Sequence, residues 1–507
     1  MSKIAFCLSG GGAKGDFEVG ALTFLLRRKI IPNIVCGTSV GAVNAVAIAE
    51  GETGIEKLRK VWRSLHSNDD MYKAEPWLTK VLPLINSGGA GVDLDFVRVA
   101  MFTPLFPIIA AKLNDAIEVL KAIIEDYQDG KIQGLYNLEP TRKLLKDSKE
   151  GIEPTLIAKS GIALRLATVC LQDGDLYYID EKGHLFKGRA DKVPDKAPVV
   201  NLVDATLASS AIPVIFKPIK LGDKSFVDGG IREVVPVKAA QEMGAEKIYA
   251  VVASESRLDR EFSFSEESKK ILKSLGFPDT DPIVRIDGIA KRALGCMLNE
   301  LTEDDLRLRA KLKDNATLWT IRPTIVPELH DALTINPQLI RLSIDYGYMR
   351  AWDVVAIAGG GINPILNLPQ NSELRQAYKD NTDEIVTLRA KAIELERTCW
   401  KRIGEPGPKS GPGAVRFAYY PDKIDQLRKT KKAIANAITA RTKFDMYERD
   451  AFPPDKSPDT VLSWVQNWEV SQPETIVHKP PATPFSSMDR VGGGSIAAAT
   501  PPTININ

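Results

Sequence analysis

Ile34-Val35-Cys36-Gly37-Thr38-Ser39-Val40-Gly41-Ala42-Val43-Asn44-Ala45-Val46-Ala47-Ile48-Ala49 is the stretch that decides the fold. With Ile30-Ile31-Pro32-Asn33 before it, the chain runs 20 residues without a charge, long enough for a bilayer span. The content argues otherwise. Pro32 and Asn33 open the run, Gly37-Thr38-Ser39 interrupts it, and Asn44 puts an amide in its second half. A buried strand, a sharp turn and a buried helix account for that pattern better than one membrane helix. At the turn lies Gly37-x-Ser39-x-Gly41, a motif that gains chemical meaning when a serine is presented between a strand and a helix.

The same alternation continues on both sides. Ile4 to Leu8 is a short apolar strand that ends at Ser9-Gly10-Gly11-Gly12, and a helix follows from Gly15 to about Arg28, with Leu22, Leu25 and Leu26 on its buried side. Helices are expected over Val40–Glu50 and Gly54–Leu65, and a hairpin turns at Asp173-Gly174 within Ile162–Ile179. Beyond it come a helix at Leu202–Ser210, a strand at Phe226-Val227 ending in Asp228-Gly229-Gly230, a helix at Val237–Met243 and a buried strand at Lys247–Ala253. A last strand at Leu318–Ile321 and a last helix at Pro337–Ala358 complete the set. Strands separated by helices imply βαβ units and a parallel sheet covered on both faces. The expected class is therefore α/β.

The 507 residues carry 67 Lys+Arg against 65 Asp+Glu, a net charge of +2. Such a balance argues against nucleic acid as the main partner, because neutralising phosphates needs a concentrated basic surface. The five cysteines are scattered, without a CxxC pair or a Cys/His cluster, so neither a metal nor a disulfide framework is expected. The N-terminal apolar stretch runs straight into glycines and lacks the form of a signal peptide, so a cytoplasmic protein is expected, peripheral at membranes where its substrate requires it. Three parts follow from composition: an enzyme-like domain over 1–358 with a helical insertion at about 77–128, a helical extension over 359–452, and a Pro/Gly-rich flexible tail over 453–507. Val99 to Ala111 is uncharged, either core or an apolar lid that touches a membrane. Arg428-Lys429-Thr430-Lys431-Lys432 is best explained as a solvated helix face.

Three constellations could carry chemistry. Gly10-Gly11-Gly12-Ala13-Lys14-Gly15 formally contains the dinucleotide GxGxxG, but the acidic residue expected at the end of the second strand is replaced by Cys36-Gly37-Thr38-Ser39. Bare amides at a helix N-terminus stabilise an oxyanion as well as a phosphate. Ser39 would supply that oxyanion as a nucleophile, and a serine needs a base. Of the four histidines, His66 ends a helix, His184 lies in a polar turn, and His478 falls in the tail, which leaves His330 as the late-sequence candidate. Asp228, in Asp-Gly-Gly after a short strand, is the other candidate base.

In this order, the glycine-rich loop, Gly-Thr-Ser-Val-Gly and Asp-Gly-Gly closely resemble the patatin-like phospholipases, as does Ala208-Ser209-Ser210-Ala211-Ile212-Pro213 with Phe216. The resemblance is strong over about 4–250, weaker to about 358, and silent on 359–507. It implies a three-layer α/β/α fold with a mostly parallel central sheet, plus here a mainly helical C-terminal extension, and a lipid acyl hydrolase working through a Ser–Asp dyad without cofactor or metal. By position, Ser39 is the nucleophile and Asp228 the proton acceptor. Gly10, Gly11 and Gly12 form the oxyanion hole, with Lys14 at the family's basic position and Gly15, Gly37, Gly41, Gly229 and Gly230 as motif support. Two residues depart from the usual pattern: Asp16, expected at the rim of the site, and Gly230, where alanine is also common. The implied partner is membrane or micellar lipid at an interface, and 359–507 offers a surface for a protein partner or self-association. A catalytically silent scaffold and a nucleotide-binding protein are the alternatives.

Overall fold

The computed structural model describes residues 2–51, 53–79, 117–255, 286–307, 316–325, 332–357, 372–398, 400–403, 416–419 and 421–451. The chain divides into two compact units, Met1–Ile362 and Asn363–Asn507. Most of the expected insertion, the uncharged run 99–111 and the tail 453–507 lie outside the described residues.

The first unit is built on a nine-stranded mixed sheet. Its strands are β1 (Ile4–Leu8), β2 (Ile34–Thr38), β5 (Ala163–Cys170), β6 (Leu176–Ile179), β7 (Leu185–Lys187), β8 (Ile219–Leu221), β9 (Lys224–Asp228), β10 (Lys247–Val251) and β11 (Thr317–Ile321). A separate two-stranded ribbon joins β3 (Lys73–Ala74) to β4 (Tyr136–Asn137). The main order is β11-β10-β1-β2-β5-β6-β7. From β11 to β5 every pairing is parallel, and β6, β7, β8 and β9 add an antiparallel half.

The parallel strands are apolar throughout because both faces are covered. Successive side chains alternate between faces, so in β1 Ala5 and Cys7 point opposite to Phe6 and Leu8, and all four are fully buried. Ala5, Cys7, Ile34, Cys36, Ile248 and Ala250 share one core with the helix Val237–Glu242. The helices α1 (Gly15–Arg27) and α2 (Val40–Ile48) follow β1 and β2, and α3 (Gly54–Ser64) follows α2 directly. Helix α3 shows why it forms: Ile55, Leu58 and Trp62 recur at helical spacing on the buried side, while Glu56 and Lys60 face water. Phe17 and Phe24 of α1 meet Tyr346 and Tyr348 of the helix Pro337–Trp352 edge-on, at 5.5 and 5.2 Å between ring centroids.

The charge-free run is thus divided between β2 and α2, and no described helix is long and apolar enough to cross a membrane. In the second unit, helices Ser372–Thr398 and Pro421–Ala451 are joined through an antiparallel pair, Trp400–Ile403 with Arg416–Tyr419. Ile385, Ala392 and Leu395 are buried on the first helix and Leu427, Ile434 and Ile438 on the second. The Asn381 side-chain amide ties them by donating to the Ala437 carbonyl at 3.0 Å. Arg428, Lys429 and Lys432 are exposed, and Lys429 pairs with Asp425 at 2.9 Å.

Candidate active site

Two strands end head-on along one edge of β5. Strand β2 runs parallel to β5 and stops where Thr38 faces Ala167. Strand β9 runs the opposite way along the same edge and stops where Asp228 faces Thr168. The adjacent register positions force the C-terminal ends of β2 and β9 together, so the next residue after β2, Ser39, meets Asp228. The Ser39 hydroxyl lies near enough to the Asp228 carboxylate to stabilise its charged form. Both residues are buried, at 5% and 4% exposure.

Ser39 sits at a sharp turn with φ 58° and ψ −128°, a left-handed conformation that costs a residue with a side chain of order 1–3 kcal/mol. Its surroundings hold it there. The Ser209 hydroxyl accepts the Ser39 N–H at 3.1 Å and donates to the Ala167 carbonyl at 2.6 Å. The Ser210 hydroxyl lies 3.0 Å from the Ser39 carbonyl and 3.0 Å from that of Thr206. The neighbouring glycines are required by space: a Cβ on Gly41 would stand 2.3 Å from the Leu8 carbonyl oxygen, and one on Gly37 2.4 Å from that of Gly41. Helix α2 starts directly after the serine, which places its positive end at the hydroxyl.

Asp228 closes β9 and accepts the Gly230 N–H at 2.7 Å, while its own N–H donates to the Ala211 carbonyl at 2.9 Å. Burial pushes its carboxyl up to about 6, against the lowering effect of the nearby Ser39 hydroxyl and of the hydrogen bond from the Gly230 amide. An alanine methyl at Gly230 would stand 3.0 Å from Asp228 Oδ1, so glycine leaves the carboxylate uncrowded here.

The glycine loop lies against the same serine: a Cβ on Gly10 would come within 3.3 Å of Ser39 Cβ. Gly12 adopts φ +58°, and a Cβ there would meet the Ala332 carbonyl oxygen at 2.0 Å. Lys14 closes the single turn Gly12–Lys14 and is half-buried. One expectation needs correction. The Gly10 N–H donates to the Val234 carbonyl at 3.0 Å, so this amide is already engaged, whereas among the described residues the Gly11 and Gly12 amides meet no protein acceptor. Val234 is in turn anchored by Asp305, whose carboxylate accepts the N–H groups of Val234 and Val235 at 2.8 and 2.9 Å.

Asp16 is corrected as well. It is fully buried rather than at a rim, and Oδ1 accepts the Phe17 N–H at 2.7 Å and the Ser343 hydroxyl at 2.6 Å. Of the histidines, His184 is held by Asp180 at 2.7 Å and His66 donates its N–H to Asp70. His330 and His478 lie outside the described residues. Asp228 is therefore the carboxylate that meets the serine, and no imidazole enters the described contact.

Sequence reasoning assigned no role to Ser209, Ser210, Val234 or Asp305. The serine doublet stood inside a quoted motif, but its bonds to residue 39 span 170 and 171 positions. Only folding reveals such a contact.

The family model for patatin-like phospholipases matches residues 6–240, and these residues form a patatin-like phospholipase domain. Among solved structures, the crystal structure of VipD from Legionella pneumophila aligns at 14% sequence identity over 95% of this chain and 93% of that chain, with a TM-score of 0.29. No curated protein matches the chain.

Proposed function

We propose that this chain is a serine lipid acyl hydrolase, of phospholipase A type, in which Ser39 and Asp228 act as a catalytic dyad. The observation that carries the proposal is that adjacent register positions on β5 bring Ser39 to a buried carboxylate whose proton affinity is raised. A carboxylate at its ordinary 3.8 is a poor base for an alcohol, and a shift to about 6 strengthens it about 100-fold.

In the first half-reaction Ser39 Oγ attacks the acyl carbonyl as its proton passes to Asp228. The carbonyl oxygen becomes an anion that the Gly11 and Gly12 amides receive, aided by the N-terminus of α1. Collapse expels the alcohol, to which Asp228 returns the proton, and leaves the acyl group on Ser39. Water then attacks the acyl-enzyme with Asp228 as base again. The fatty acid departs and Ser39 recovers its proton.

A lipid substrate is supported by the family match and by two apolar residues on segments that leave Ser210 and Asp228. Val214, four residues past Ser210, is 50% exposed with φ +72°, and Ile231, three past Asp228, is 41% exposed. The proposed substrates are fatty-acyl esters of phospholipids or related lipids, met at a membrane or micelle surface. We assign 359–507 to recruiting a protein partner or regulating access.

The test is hydrolysis of a phospholipid, lysophospholipid and neutral-lipid panel by purified protein. Ser39→Ala is expected to lower turnover at least ~10³-fold with an unchanged circular dichroism spectrum. Full activity in that variant removes the proposal. Equal inactivity of both proteins favours a silent scaffold, and heat stabilisation by dinucleotides favours a nucleotide-binding protein.

A further inference from the structure

Behind the glycine loop lies a buried polar cluster to which the mechanism gives no task. Glu18, on α1, is fully buried, and among the described residues no cation pairs with it. Its Oε2 accepts from the Asn44 side-chain amide at 2.9 Å. That amide also donates to the Gly15 carbonyl at 3.0 Å, and Asn44 Oδ1 accepts the Trp62 indole N–H at 3.0 Å. Every polar atom of Asn44 is thereby used, and Oε2 of Glu18 is fixed as an acceptor.

Oε1 lies 3.3 Å from Ser9 Oγ. Ser9 Oγ accepts the Ala253 N–H at 2.8 Å and lies 3.0 Å from the Gly10 carbonyl oxygen. The serine has one proton to give. If Glu18 is ionised, both Oε1 and the Gly10 carbonyl compete for it. If Oε1 carries a proton, it donates to Ser9 Oγ, and the Ser9 hydroxyl is free to hold Gly10. The Gly10 carbonyl and the Gly11 N–H belong to one rigid peptide plane and point in opposite directions. Whatever fixes the carbonyl aims the amide.

We propose that Glu18, as a proton donor to Ser9, is a positioning residue for the oxyanion amides: through Ser9 it fixes the Gly10–Gly11 peptide plane and hence the direction of the Gly11 N–H. Its surroundings favour the protonated form. Burial pushes the Glu18 carboxyl up to about 8, outweighing the lowering effect of the hydrogen bonds from Asn44 and Ser9, and the nearby Asp16 adds to the rise. Ser9 in the loop and Asn44 from α2 are its neutral partners, Trp62 from α3 is linked to it only through Asn44, and Asp16 on its own helix is the charged group near it. The same pair joins the helix that follows the glycine loop to the helix that follows Ser39, so one hydrogen-bonded cluster sets both halves of the site.

The inference rests on the hydrolase reading for its kinetic arm and on protein stability for its second arm. The experiment uses the full chain, with p-nitrophenyl butyrate from pH 5.5 to 9.5 and Ser39→Ala as blank. Wild type is expected to lose kcat above about pH 8 with KM steady, as Glu18 ionises. Glu18→Gln, whose amide donates to Ser9 at every pH, is expected to keep kcat and lose that alkaline decline. Ser9→Ala is expected to lower kcat about 10- to 100-fold across the range, with KM unchanged, because Gly10 loses its donor. In parallel, the melting temperature of Glu18→Gln should rise above that of wild type by a margin that widens up to pH 8. Persistence of the alkaline decline in Glu18→Gln, or wild-type kcat in Ser9→Ala, overturns the inference. A wild type no faster than Ser39→Ala removes the hydrolase reading instead. Melting then decides alone: a margin that widens with pH keeps Glu18 as a buried neutral acid, and a constant one overturns it.

Discussion

Replacing Asp228 by asparagine should separate activity from stability. In the folded chain this carboxyl titrates at about 6, against 3.8 in its ordinary state. The folded form therefore binds its proton more tightly, and stability falls as pH rises between the two values. About two pKa units correspond to about 3 kcal/mol of strain from holding the ionised group in place at neutral pH. Asparagine has the same shape, can still accept the Gly230 N–H and cannot ionise. For a unit of 362 residues, at ~2.1 cal/mol/K per residue, that difference amounts to about 4 °C in melting temperature. Asp228→Asn should accordingly melt about 4 °C above wild type at pH 7.5, with the gap closing below about pH 4. Its hydrolysis of a short-chain ester should fall ~10³-fold, because Ser39 loses its base. Wild-type kcat/KM should drop about tenfold from pH 7 to pH 5, as a base of pKa about 6 is protonated. Scanning calorimetry against pH, paired with the pH–rate profile, makes the comparison. A variant that melts at or below wild type at pH 7.5, or loses less than tenfold in rate, refutes the reasoning.

Two other substitutions probe the scaffold of the site. Gly12→Ala sets a methyl 2.0 Å from the Ala332 carbonyl and places alanine at φ +58°, so the loop must move; kcat should fall ~10²-fold while binding of a non-hydrolysable substrate ether is retained. Ser209→Ala leaves the Ser39 N–H without its acceptor and Ala167 without its donor, which should destabilise the fold by about 1–3 kcal/mol in urea titrations and lower kcat without changing KM.

Much of the fold was legible because hydrophobic periodicity is local. The strand and helix over 34–48, the helix at Val237 and the strand at Lys247 all appear within a residue or two of their expected bounds. The short strands β7 and β8 were not read, since three residues carry too little periodicity to stand out from a turn. Nor was the antiparallel half of the sheet anticipated in full. Only its hairpin, at Asp173-Gly174, carries a local signal. The buried state of Asp16 was missed for a related reason: an acid after a glycine loop looks exposed until the partner hydroxyl, Ser343, arrives from 327 positions away.

By itself the sequence determined which groups are available: a serine in a strand–turn–helix elbow, a glycine loop able to bare its amides, and an aspartate before two glycines. Those are properties of chain segments a few residues long, set by side-chain size and allowed dihedral angles. The tertiary structure alone decided that β2 and β9 halt at adjacent positions of β5 and bring Ser39 to Asp228. It also engaged the Gly10 amide at Val234 and buried Glu18 behind the loop. Strand register and desolvation depend on which distant segments meet, and no short stretch of sequence holds that information.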